Sequence, residues 1–222
     1  MRTKFRQHKL LALGTVLVAG VFGLLIYRQF FYDGTRAIEQ KLTQHLATGV
    51  VSAKAGEVNE EAGVKRAQIA LQEYKKNVVE VPARSNRGPE IDKYTEGNAA
   101  QWCTMFASWV SAQAGSPVAN TQSGSWRTAN SRDFAEYLKS SGTWYSREEV
   151  VAQKIKPQVG DFIVYYRGNY EDKLGHVDVV VDVGELGFAG LVGGNLDDTI
   201  KFRENFNYQD YYGFLGFGRP EK

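Results

Sequence analysis

A thiol is a weak nucleophile at neutral pH until its pKa is lowered and a base stands within reach. The chain of 222 residues holds one cysteine, Cys103, inside the stretch NAAQWCTMFASWV at 98–110. Apolar spacing there predicts a helix from about Gln101 to Ala114 with Gly115 as its stop, which sets Cys103 at a helix start. Unpaired backbone N–H groups and the macrodipole favour a thiolate at such a place. Of the three histidines, His8 precedes an apolar run, His45 falls in a weakly patterned polar segment, and His176 alone belongs to the part of the chain patterned to fold. His176 opens GHVDVVVDVG, a strand in which residues 176 and 178 share one face while Val177, Val179 and Val181 take the other. If the histidine face packs on the Cys103 helix, thiol and imidazole meet as the nucleophile and base of covalent acyl transfer.

That chemistry needs two more parts. A third group must hold the far ring nitrogen and fix the tautomer. Asn195, in LVGGN at the end of the next predicted strand, is placed for it; Asp178 is the substitute, although a side chain two residues along the same strand is poorly placed to reach the far nitrogen. The oxyanion needs donors, for which the backbone N–H of Cys103 and one side chain from Gln101, Asn98 or Tyr94 are the candidates.

Each of these residues also has an ordinary explanation. A lone cysteine is most often a packed, inert thiol, a lone histidine a satisfied structural one, and Gly-Gly-Asn a turn that tolerates positive φ. Trp102, Met105, Phe106, Trp109 and Val110 recur as the inner face of a helix and are expected in the core. Trp126, Trp144, Tyr165 and Tyr166 are candidates to line a substrate groove, with ordinary packing expected for at least half of them. The acidic residues lack the spacing of a calcium loop, and one cysteine with one domain histidine cannot assemble a zinc site, so no metal and no cofactor is expected.

The elements that must position these groups follow in blocks. Val64, Ala67, Leu71, Tyr74 and Val78 mark an amphipathic helix that opens the folded part, and a long loop punctuated by Pro82, Gly88-Pro89 and Gly97 follows. A further helix is expected over SRDFAEYLKSSG, with Ser131 as N-cap and Gly142 as terminator. GDFIVYY, GHVDVVVDVG, FAGLVGG, TIKFREN and YGFLGFG then read as consecutive antiparallel strands. Helices first and strands afterwards imply an α+β domain over 64–222.

Ahead of the domain, 33–63 is a linker too poor in apolar residues to bury a core, though Ile38, Leu42 and Leu46 recur four apart. Residues 10–27, LLALGTVLVAGVFGLLIY, are uncharged and apolar, long enough to cross a bilayer within a 10–32 signal-anchor helix. Arg2, Lys4, Arg6 and Lys9 precede the run with no acidic residue, which keeps the 1–9 tail in the cytoplasm and the domain outside it. No small-x-small site follows closely, so a retained anchor is expected in place of a cleaved signal. A net charge of +2 without a basic run excludes nucleic acid as a partner.

Five stretches in order, NRGPEIDKY, WCTMFASWVSAQAG, PQVGDFIVYY, GHVDVVVDVG and GGN, together resemble the CHAP domains, papain-like amidases and peptidases of bacterial cell-wall turnover. The resemblance implies a papain-like fold of N-terminal helices packed on an antiparallel sheet. It also implies hydrolysis of an amide in peptidoglycan through Cys103, His176 and Asn195, on the stem peptide or on the muramoyl–alanine amide. One position departs from it: many CHAP domains carry a glutamate two residues before the place of Asn195, and here that residue is Gly193. The departure keeps open a catalytically silent binding module, and the fold also admits an amidase on a non-wall substrate. A tethered hydrolase would suit wall remodelling, with envelope or secretion machinery as a further expected partner.

Overall fold

The computed structural model describes residues 34–44, 57–118, 124–140, 144–169 and 175–220. The apolar run at 10–27, His8, His45 and Gly142 lie outside these. Among the described residues no helix is long and apolar enough to cross a membrane. Two compact units divide the chain, 1–40 and 41–222. The described part of the first is helical and belongs to α1 (34–44). The second carries everything below.

Helix α2 (Glu57–Lys75) starts inside the segment read as linker. Its early start has a packing reason at Gly63, which meets the turn before the first long strand so closely that a Cβ on Gly160 would lie 2.2 Å from the Gly63 carbonyl oxygen. From the same helix Arg66, with no solvent exposure, donates to the Gly160 carbonyl (2.8 Å) and to Ser116 Oγ (2.6 Å). Asp161 beside it accepts two bonds from Arg219 at 2.8 and 3.0 Å. The PQVGD stretch is therefore a fastening point for the two ends of the domain.

After a short α3 (Asp92–Thr95) comes α4 (Cys103–Gln113), two residues later than its expected start and ended as expected by Gly115 at φ +84. Nearly every side of α4 is buried, which its sequence permits because its polar residues are small and bond locally. Ser108 Oγ shares its one hydrogen between the Thr104 and Thr128 carbonyls and accepts the Thr128 N–H, and Ser111 Oγ donates to the Ser116 carbonyl. Helix α5 (Ser131–Ser140) is capped by Asn130, whose Oδ1 accepts the Arg132 N–H at 2.8 Å; Ser131, the residue expected to cap, is already inside the helix.

Six strands form one antiparallel sheet in the order β1-β6-β2-β3-β4-β5. They are β1 (Trp144–Ser146), β2 (Phe162–Tyr166), β3 (Gly175–Val183), β4 (Phe188–Gly193), β5 (Lys201–Asn207) and β6 (Phe214–Gly218), with α6 (Arg147–Gln153) after β1. Five match the predicted runs; three-residue β1 is too short to carry a period. Phe162 pairs with Val179, and its ring meets Phe134 of α5 edge to face at 4.9 Å, so this face, shared with Val177 and Val181, is the one the helices cover. Ile163, Tyr165, Val180, Leu191, Phe214 and Phe217 fill a second core on the opposite face, with Val150 of α6.

Candidate active site

The register places His176 opposite Tyr165 and Asp178 opposite Ile163, hence on the face turned away from α4. Thiol and imidazole do not meet across the helix–sheet interface as expected. They meet at its end: His176 is the second residue of β3, Cys103 the first of α4, and Cys103 Sγ lies 3.7 Å from the carbonyl oxygen of Gly175. Gly175 is required there, since a Cβ would fall 1.9 Å from Ser131 Oγ and 2.4 Å from the Tyr165 carbonyl.

What holds the start of α4 is a cradle built by the loop before it. Trp102, fully buried, donates its Nε1–H to Glu80 Oε1 at 2.9 Å, and Glu80 Oε2 accepts the Asn86 N–H at 2.7 Å. Tyr94 stacks on Trp102 at 5.9 Å and meets Phe106 edge to face at 5.2 Å. Gly194 presses on the same place, because a Cβ there would lie 2.7 Å from the Trp102 ring. No side chain caps the helix, which leaves the first N–H groups, that of Cys103 among them, without a side-chain acceptor.

His176 Nε2 stands 3.0 Å from Asp178 Oδ1, with both residues buried, and Asp178 Oδ2 accepts a bond from Arg203 Nη2. The other ring nitrogen, Nδ1, is buried and has no hydrogen-bond partner. The electrostatics of the three groups are coupled. Burial alone would push the Cys103 thiol up; the neighbouring His176, helped by the charge of Arg167, outweighs it and holds the thiol below its ordinary value. Burial alone would lower the imidazole, and Asp178 with Cys103 raises it to about 9. Burial likewise opposes ionisation of Asp178, yet His176 and Arg203 keep its carboxyl below the usual range.

Asn195 is not the residue on the far ring nitrogen. At φ +55 in the turn after β4, it spends its amide N–H groups on Gln101 Oε1 (2.9 Å) and Asn86 Oδ1 (3.2 Å). The group that stands on Nε2 is Asp178, two residues along the same strand. The glycine at 193 explains itself in the same geometry: a Cβ on it would lie 2.0 Å from Asp178 Oδ1 and 2.9 Å from His176 Nε2. The volume that a side chain from β4 would need is taken by the carboxylate from β3.

The other expected site residues divide. Gln101 is exposed two residues before Cys103, and its side-chain oxygen accepts from Asn195 Nδ2. Asn98 gives one of its two Nδ2 hydrogens to the Thr95 carbonyl at 2.9 Å, and Tyr94 is fully buried with its hydroxyl on Glu73. Tyr165 is not a groove residue: it is 1% exposed and lies under His176, ring centroids 6.3 Å apart. Tyr166 is half-buried against Tyr212 at 5.3 Å, and Trp126 and Trp144 are also half-buried. Glu80 and Arg203 were not anticipated, and single charged residues among polar neighbours carry no periodic signal that would reveal them. Among the described residues no group of His, Cys, Asp and Glu is gathered to hold a metal ion.

Residues 94–195 match the sequence model of the CHAP domain, a span from Tyr94 to Asn195 that takes in Cys103, His176 and Asp178. No curated protein and no solved structure matches the chain.

Proposed function

Because the chain carries a CHAP domain at 94–195, and with it the amidase or peptidase type of hydrolase, we propose that it cleaves an amide of peptidoglycan with Cys103 as nucleophile. The observation that carries this reading is the pairing of an uncapped helix-start thiol with an imidazole whose far nitrogen is held by a buried carboxylate. Wall substrate is what CHAP membership implies in general. The choice between the stem peptide and the muramoyl–alanine amide is left to product analysis.

The reaction follows from these atoms. The Cys103 thiolate attacks the amide carbonyl carbon, and the oxygen takes the negative charge facing the Cys103 backbone N–H and the Gln101 NH2 group. As the C–N bond breaks, the imidazolium of His176 gives its proton to the departing amine, leaving a thioester. His176, now neutral, takes a proton from water; the resulting hydroxide attacks the thioester, and collapse expels the Cys103 thiolate, which frees the carboxylic acid and restores the thiolate–imidazolium pair. Asp178 holds the ring and balances its charge throughout.

The silent-module reading rested on glycine at 193; the carboxylate from β3 beside that place supports the catalytic reading instead. A retained anchor at 10–27 would confine cutting to wall near the membrane. The full chain incubated with purified peptidoglycan should release new amino termini, and mass spectrometry of the products separates amidase from endopeptidase. No release above a Cys103→Ala control between pH 5 and 9 would overturn the proposal. Cleavage of small non-wall amides far faster than wall fragments would move the substrate instead.

A further inference from the structure

Arg203 comes from β5, two strands away from the histidine. Val180, Leu191 and Arg203 lie in one row across β3, β4 and β5, on the face that carries Asp178. From there the guanidinium crosses β4 toward Gly193, where no side chain intervenes, and donates through Nη2 to the Asp178 oxygen that His176 does not use. Its plane rests on the Phe206 ring, with Cζ 3.8 Å from the centroid, and its Nε is buried with no hydrogen-bond partner. An arginine stacked and stripped of water at one nitrogen, yet bonded to the acid, is costly unless that bond matters.

We infer that Arg203 is a positioning residue of this site, fixing Asp178 against His176 and making the chain Cys103–His176–Asp178–Arg203. The inference rests on the hydrolase reading above and adds to it a residue outside the 94–195 family match. The charged and titratable groups that bear on the pair are Cys103 from α4, Arg167 after β2, Tyr165 on β2 and Arg203 on β5. Of the two arginines Arg203 alone is bonded to the carboxylate, so its loss leaves the buried Asp178 with the imidazolium as its one bonded cation and readier to take a proton. A protonated Asp178 no longer supports the imidazolium, and the thiolate that the imidazolium stabilises is lost with it.

The test uses the single cysteine of the full chain, which makes alkylation by iodoacetamide report Cys103 alone. In wild type the alkylation rate should rise with pH well below the range of a free thiol. Arg203→Met should cut that rate at pH 6 at least about 10-fold while leaving it within about twofold at pH 9.5, where the thiol ionises unaided. Arg203→Lys, which keeps the charge with a single point of contact, should shift the profile the same way by less, and it decides the matter if the methionine variant does not fold. A folded variant with the wild-type profile overturns the role of Arg203 while leaving the nucleophile–base reading intact. A wild-type profile like that of a free thiol overturns that reading and this inference together.

Discussion

Asp178 lies two residues beyond His176 on one strand, and its Oδ1 stands 3.0 Å from the imidazole Nε2. Strand neighbours on one face are usually rivals for space; here they are bonded. The neighbouring strand contributes a glycine, Gly193, at the point of contact.

Asp178→Asn should lower kcat/KM by about 100-fold to 10,000-fold, the range over which an oriented base contributes, and slow alkylation of Cys103 at neutral pH. Asn195→Ala should weaken hydrolysis through Gln101 and the oxyanion, yet leave the alkylation rate within about twofold. Measuring both reactions on both variants separates the two amino acids; equal effects of Asn195→Ala on both would return Asn195 to the base.

An acid restored to β4 should fail alone. Gly193→Glu forces a Cβ to within 2.0 Å of Asp178 Oδ1 and should cost about 1–3 kcal/mol of stability in a chemical melt, with activity lost. Combined with Asp178→Ala the glutamate gains the vacated space, and the double variant should be more active than either single one. Additive losses would show that the two positions do not share one volume.

The pH dependence has two limbs with opposite causes. His176, raised to about 9, carries its proton below that pH, and turnover should fall as pH rises through it because the departing amine loses its proton donor. Alkylation needs only the thiolate and should not fall there. On the acid side both reactions should decline together as the thiolate is protonated, at a pH below the ordinary thiol range because His176 holds Cys103 down. Stopped assays across pH 5 to 10 with the two readouts check the sign of each limb.

Gly175→Ala should uncouple the site without touching its chemistry. The added methyl meets Ser131 Oγ and the Tyr165 carbonyl, so β3 must shift away from β2 and α5 at its first residues. A loss of about 1–3 kcal/mol in stability and a larger loss of alkylation at pH 6 than at pH 9.5 are expected. Ser131→Gly in the same chain should recover part of both.

The proposed nucleophile and base, and the elements that carry them, were legible from the residues alone. Cys103 stood at the foot of an apolar helix and His176 at the head of a β-branched strand, and periods of 3.6 and 2 are local properties that need no tertiary contact. The same holds for five of the six strands and for Gly115 as a helix stop. The third member was not legible. Whether Asn195 or Asp178 reaches the imidazole depends on which way the ring points and on the empty place at Gly193; both are set by how β3 lies between β4 and the end of α4. Tyr165 and Tyr166 read alike as groove candidates, and only the core built on the second face decided that Tyr165 is buried under the histidine. Arg203, 25 residues beyond Asp178 in the chain, is bonded to it solely because β4 turns the chain back. Local pattern determines which side chains are available; register and packing determine which of them touch, because hydrogen bonds extend over about 3 Å and the chain distances between partners do not.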